Sequence, residues 1–169
     1  MSEQILNEVK EYFDYLQTPN EAFKGMPACP FLKKEIQTQK LMIEIWKPRV
    51  ESFMDIYTRY AESNYDSAVL ICMNTDGIDW SQIDRKKYQS TIQKLLKETP
   101  HKPLCISPFE EHTAGGGEQT RKGSPYFLIN IAKSTALNEA HRNLLKTRYF
   151  DNFTEDEIGT LKVYPKEKK

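Results

Sequence analysis

Cys29 stands between two prolines in the run Gly25-Met26-Pro27-Ala28-Cys29-Pro30-Phe31, directly before Leu32-Lys33-Lys34-Glu35. Each proline fixes its own φ and pushes the residue before it out of the helical region. Ala28-Cys29 is therefore held in an extended or turn shape. A helix opening at Pro30 beside two lysines would favour the thiolate at its mouth. Such a thiol could act as a nucleophile, as a redox group or as a soft ligand to haem or another metal. A redox thiol wants a resolving partner, and none is local. A small cysteine at this place also serves as filler beneath a structural loop.

The segment 107–125 is the second place where chemistry could sit. It carries His112, the acids Glu110, Glu111 and Glu118, Arg121, Lys122 and the triplet Gly115-Gly116-Gly117, and Tyr126 follows it directly. Connections of this length are usually functional or disordered. This one follows a strand, where α/β proteins place ligand loops. The glycines would let a backbone approach a ligand closely, but they match neither nucleotide-binding glycine pattern. His112 has the chemistry of a general base or metal ligand, or of a solvated loop imidazole. Adjacent Glu110 and Glu111 point apart in an extended loop and make a poor acid–base pair.

His141 belongs to a different pattern. It shares one helical face with Leu137, Leu144, Leu145 and Arg148, as positions three and four apart do. A histidine there is either a hydrogen-bonded core residue or a ligand facing a buried cofactor. His101, after Thr99-Pro100, reads as a solvated turn residue, and Cys72 and Cys105 read as core residues of strands.

Helical periodicity over residues 3–16 places Ile5, Leu6, Val9, Tyr12, Phe13 and Leu16 on one face, with Ser2 as N-cap. Residues 24–31 read as a loop, followed by a short helix from Pro30 to Gln37. Lys40–Trp46 is a strand, and Pro48 opens a helix to Ser63 with Val50, Phe53, Met54, Tyr57 and Tyr60 as its stripe. Ser67–Met73 is a continuous apolar run, the pattern of a central strand covered on both faces. Ser81 with Asp84 resembles a capping box for a helix to Glu98. Pro103–Ser107 and Tyr126–Ala132 are further strands, and Ser134 caps a last helix to Tyr149. The order α-α-β-α-β-α-β-β-α predicts an α/β (or α+β) fold with a small mixed four-stranded sheet flanked by helices. Residues 1–153 form one domain and 154–169 a charged tail.

Lys+Arg and Asp+Glu balance at 24 each in 169 residues, which gives no net field for nucleic acid or an anionic membrane. No apolar run reaches the roughly 18–20 residues that span a bilayer, and the N-terminus is unlike a signal peptide. Three cysteines far apart argue for a reducing, cytoplasmic setting and against zinc knuckles, CxxC pairs or a disulfide scaffold.

Two motifs together carry a resemblance. Cys29-Pro30-Phe31, and later Arg121-Lys122-Gly123-Ser124-Pro125-Tyr126 with its apolar strand and helix, resemble an uncharacterised bacterial family. Its members pair a Leu-Cys-Pro-Phe-Ala element with an Asn-Arg-Ser-Pro-Tyr-Pro element. The likeness runs loosely over residues 5–147. Two departures stand out: the family's His-Pro pair is replaced by Ser107-Pro108-Phe109-Glu110-Glu111-His112, and Arg121 lies two residues further from the Ser-Pro pair. This resemblance implies a fold and a pairing of motifs, and it implies no reaction. More remotely, the chain is similar to haem-dependent N-oxygenases in having a Pro/Cys element after an N-terminal helix and no other cofactor motif. That likeness implies haem, with Cys29, His112 or His141 as axial ligand and Arg121 and Tyr126 on the substrate side. Cys-Pro-Phe also opens the active site of some glutathione-transferase-like thioredoxin folds. There it follows a strand, whereas here a helix and a loop precede it.

The expectation is a small cytoplasmic oxidoreductase or oxygenase acting on a small molecule, with the Cys-Pro-Phe loop and the 107–126 loop converging on one pocket. Cys29, His112, Arg121 and Tyr126 are its candidate catalytic residues, and Cys29 and His141 its candidate haem ligands. The alternative is a ligand- or protein-binding domain in which both motifs are structural.

Overall fold

Three apolar strand sequences line up side by side around a fourth that the chain supplies last. In the computed structural model, which describes residues 2–74, 77–108, 112–113, 120–151 and 153 (backbone alone at Ala22, His112, Thr113, Thr120 and Arg121), the elements are mixed α and β. The chain runs α1 (Ser2–Gln17), β1 (Pro19–Asn20), β2 (Met26–Pro27), α2 (Leu32–Gln37), β3 (Leu41–Trp46), α3 (Phe53–Ala61) and β4 (Ser67–Cys72). It continues with α4 (Arg85–Leu95), β5 (His101–Ile106), β6 (His112–Thr113), β7 (Thr120–Arg121), β8 (Phe127–Lys133) and α5 (Ser134–Leu145).

The main sheet has the order β3-β4-β8-β5. β3 and β4 are parallel, while β8 is antiparallel to both β4 and β5. The β4–α4–β5 segment therefore leaves a one-strand gap that β8 fills. β4 is buried along its whole length, as its unbroken apolar run implied. Its alternate residues feed two cores. Val69 and Ile71 join Leu128 under α1 and Leu144 of α5, whereas Ala68, Leu70 and Cys72 join Phe127, Ile129 and Ile131 under α3 and Ile92 of α4. The period-two alternation of a strand thus produces three layers, helices over both faces of one sheet.

Several boundaries differ from the sequence reading. Residues 48–51 form a turn, and α3 starts at Phe53 because the Ser52 hydroxyl accepts the Asp55 N–H at 3.1 Å. Val50 consequently lies outside the stripe, 78% exposed, and Ile56 takes its place in the core. The expected Ser81–Asp84 box is two separate caps. Asp79 caps a short 3₁₀ turn over Trp80–Gln82, and Asp84 accepts from the Lys87 N–H to start α4. Ser134 lies inside α5, one residue past the cap position at Lys133, and the helix stops at Leu145. The expected tail from residue 154 lies outside the described residues.

Candidate functional site

Cys29 is fixed through its backbone. Its N–H donates to the Leu16 carbonyl at the end of α1 (3.0 Å), and its carbonyl accepts from the Leu32 N–H at 3.4 Å. The neighbouring Ala28 carbonyl accepts the Tyr149 hydroxyl at 2.6 Å. The loop is thereby tied to α1, to α2 and to the segment after α5. Cys29 itself is half-buried against the core under α1. It does not cap a helix as the sequence implied: α2 begins at Leu32, is six residues long and has Phe31 at the cap position with no side-chain cap.

The second motif is fixed by its side chains. Ser124 is fully buried. Its hydroxyl donates to the Tyr126 carbonyl at 2.5 Å and accepts from the Tyr126 N–H at 3.2 Å, a local turn that a serine makes with its own backbone. Tyr126 donates its hydroxyl to Glu8 Oε2 on α1 at 2.6 Å. That bond, then burial, pushes the phenol up to about 12, so it remains a donor at neutral pH. The Lys122 N–H donates to the Tyr15 hydroxyl at 3.0 Å.

Both motifs therefore dock on one helix: Leu16 holds the first, while the second meets α1 at Glu8 and, through Lys122, at Tyr15 next to Leu16. Between α1 and the second motif runs a cleft of about 230 Å³ lined by Glu8, Glu11, Tyr12 and Lys122–Pro125. Cys29 is not among its lining residues.

His112 and Arg121, both picked out by sequence, face each other across the β6–β7 ribbon as register partners. Glu110 and Glu111 lie outside the described residues. His141 is half-buried on α5, its ring edge-on to Phe150 with centroids 5.3 Å apart. Phe150 in turn packs on Tyr149, which bonds Ala28, so a chain of rings links His141 to the Cys29 loop. Cys72 and Cys105 are core residues, as expected. Burial raises both thiols, that of Cys105 to about 12.

A wider cleft lies elsewhere. Ser81, Gln82, Ile83, Asp84, Arg85 and Lys86, with Ser107 and Pro108 opposite, enclose about 560 Å³. It sits where β5 ends and α4 begins, at the carboxyl end of the β4–α4–β5 unit, the usual ligand position of α/β sheets. Only Ser107-Pro108, at the start of the long loop, pointed to it in the sequence. Its other wall, Ser81–Lys86, read there as a helix start.

A haem needs an apolar slot beside its axial ligand. Neither of these two clefts is lined by Cys29 or His141. Among the described residues no cluster of three His, Cys, Asp or Glu side chains could hold a metal ion.

Sequence reasoning also misplaced His101. It is the first residue of β5, 7% exposed, with Nδ1 2.8 Å from the Tyr57 hydroxyl and its ring edge-on to Tyr60. No helix of the described residues is long and apolar enough to cross a membrane. Comparison with protein-family models, with curated proteins and with solved structures found no match.

Proposed function

We propose that this chain is a binding domain for a small anionic molecule, with both proline motifs serving as structural ties. One observation carries this reading: the Cys29 backbone, the Ser124 hydroxyl and the Tyr126 hydroxyl are engaged with the fold, while the 560 Å³ cleft at the end of β5 stands open. Its size suits a small-molecule ligand. Arg85 and Lys86 provide cationic donors, and Ser81, Gln82 and Ser107 provide neutral polar groups to orient a ligand. The Asp84 carboxylate is directed to the Lys87 N–H, which reserves it for starting α4. Balanced overall charge argues for a small molecule over nucleic acid as the occupant. None of the three cysteines is in a disulfide, which fits a cytoplasmic setting.

The test is a thermal shift with inorganic phosphate and with citrate as probes. Either anion should raise the Tm of the wild type, and the Arg85→Ala/Lys86→Ala double variant should lose most of that rise. A wild-type Tm indifferent to both anions would overturn the reading.

A second reading, a thiol-dependent oxidoreductase, is favoured by the half-exposure of Cys29 against the full burial of Cys72 and Cys105. Its signature would be oxidation by dilute peroxide at Cys29 that a dithiol reverses, lost in Cys29→Ser.

A further inference from the structure

The main sheet has two edges, and the sequence treats them differently. On β5 the hydrogen-bonding groups of Lys102, Leu104 and Ile106 meet β8, so those of His101, Pro103 and Cys105 face outward. Each outward donor is dealt with. The His101 N–H donates to the Thr99 hydroxyl at 3.3 Å, Pro103 has no N–H, and the Cys105 N–H donates to Gln89 Oε1 of α4 at 3.1 Å. That edge is closed to another strand.

β3 has no such protection. The Lys40 carbonyl accepts the Ser67 N–H, which fixes the phase of the ladder: Lys40, Met42, Glu44 and Trp46 bond toward β4. The N–H and C=O groups of Leu41, Ile43 and Ile45 then face away from the sheet, where no strand of the described residues lies. The side chains of these three residues are only half-buried on the core under α1. Large exposed apolar side chains flank both ends of the strand: Ile36 (39%) before it, and Val50 (78%) and Met54 (37%) after it.

We infer that β3 is a dimerisation edge, whose partner is β3 of a second copy of this chain paired antiparallel about Ile43. The strand is self-complementary in that register. Leu41 falls opposite the second copy's Ile45, Ile43 opposite Ile43, and Met42 opposite Glu44, so no two like charges meet. Glu44 is already paired with Arg59 within its own chain. The flanking lysines obey the same rule, Lys40 meeting Trp46 and Lys47 meeting Gln39. The antiparallel sense also carries the Val50 end of one strand to the Ile36 end of the other. The dimer would bury apolar surface that each protomer leaves half-exposed and would join two four-stranded sheets into one of eight strands. A closed two-fold pair of this kind also prevents further edge-on addition, because each remaining edge is the guarded β5.

Sedimentation over a range of concentrations tests this on the full chain. The expected result is a reversible shift from 19.8 kDa to twice that mass. Ile43→Pro removes a donor that no bond among the described residues uses, so the folded variant should sediment as a monomer, with its dissociation constant raised by more than about tenfold. Ile43→Lys serves the same purpose should the proline variant fail to fold. Hydrogen exchange should slow at the Leu41, Ile43 and Ile45 amides as concentration rises. A wild type that stays at the monomer mass throughout, or a dimer that survives in a folded Ile43 variant, overturns the inference.

Discussion

The Tyr57 hydroxyl and His101 Nδ1 lie 2.8 Å apart inside the core, one on α3 and the other at the start of β5. Burial, and then the nearby Lys133 ammonium, hold the His101 pKa below its ordinary 6.5. Lys133 is the residue opposite His101 in the ladder. The imidazole is therefore neutral in the folded protein at pH 7.

The sign of the pH dependence follows. The unfolded chain binds a proton at this histidine more readily than the folded one, so stability is greatest above pH 6.5 and falls as the pH drops toward the lowered native value. Urea midpoints of the wild type should fall between pH 7 and pH 5 more steeply than those of His101→Gln. Parallel curves would refute this role for His101. Tyr57→Phe, which leaves Nδ1 buried without its partner, should cost about 1–3 kcal/mol at pH 7.5.

Glu35 shifts in the opposite sense. It accepts the hydroxyl of fully buried Ser67 at 2.6 Å, yet burial outweighs that bond and raises its pKa above 4.5. Its protonated form is favoured by folding, so its contribution is fully present below pH 4.5 and is lost as pH rises through the raised value. Glu35→Gln keeps an acceptor for Ser67 and removes the buried charge. Its Tm should exceed that of the wild type by roughly 1–3 °C at pH 7 and match it at pH 4. A lower Tm at pH 7 would contradict this.

The three thiols should separate by reactivity. Iodoacetamide should modify Cys29 alone in the native protein, because only Cys29 is part-exposed while burial raises the thiols of Cys72 and Cys105. All three should react in urea, and peptide mapping by mass spectrometry reads out the order. Cys29→Ser should leave the phosphate-induced Tm rise unchanged if the cleft beside α4 is the binding site.

The tie between the second motif and α1 can be weighed by deletion. Tyr126→Phe removes one hydrogen bond to Glu8 and should cost about 0.5–1.5 kcal/mol in chemical denaturation. Ser124→Ala leaves a part-buried N–H at Tyr126 without its acceptor and should cost about 1 kcal/mol. A tie irrelevant to stability would show as no change in either variant.

The layering was legible in the sequence because burial writes a simple code. The Ser67–Met73 run read as a doubly covered strand, and the stripe of Ile5, Val9, Tyr12, Phe13 and Leu16 as a helix face; both are so in the structure, the strand ending at Cys72. Caps were harder. Ser52 and Asp79 outcompete Pro48 and Ser81 as start signals, and which polar side chain folds back on the backbone is decided by the turn leading into it. His101 was misplaced because Pro100 and Pro103 look like punctuation. Pro103 is in fact tolerated in β5 because its nitrogen faces the open side of an edge strand. At the candidate site, the sequence marked both motifs, and the structure docks both on α1. Sequence spacing says nothing about which turn of α1 each loop meets, and the two-residue ribbon that pairs His112 with Arg121 is too short to leave a periodic trace.

The placement of β8 bears on how the chain is made. β4 and β5 emerge from the ribosome well before residues 127–133, which must slot between them and pair with both. Until that strand arrives, the two neighbours have facing unsatisfied backbones, and neither core can close, since Leu128 belongs to one and Phe127, Ile129 and Ile131 to the other. Folding of the sheet therefore waits for β8 and has high contact order. The nascent chain between Ile106 and Phe127 is the interval in which a chaperone would find the most exposed apolar strand surface.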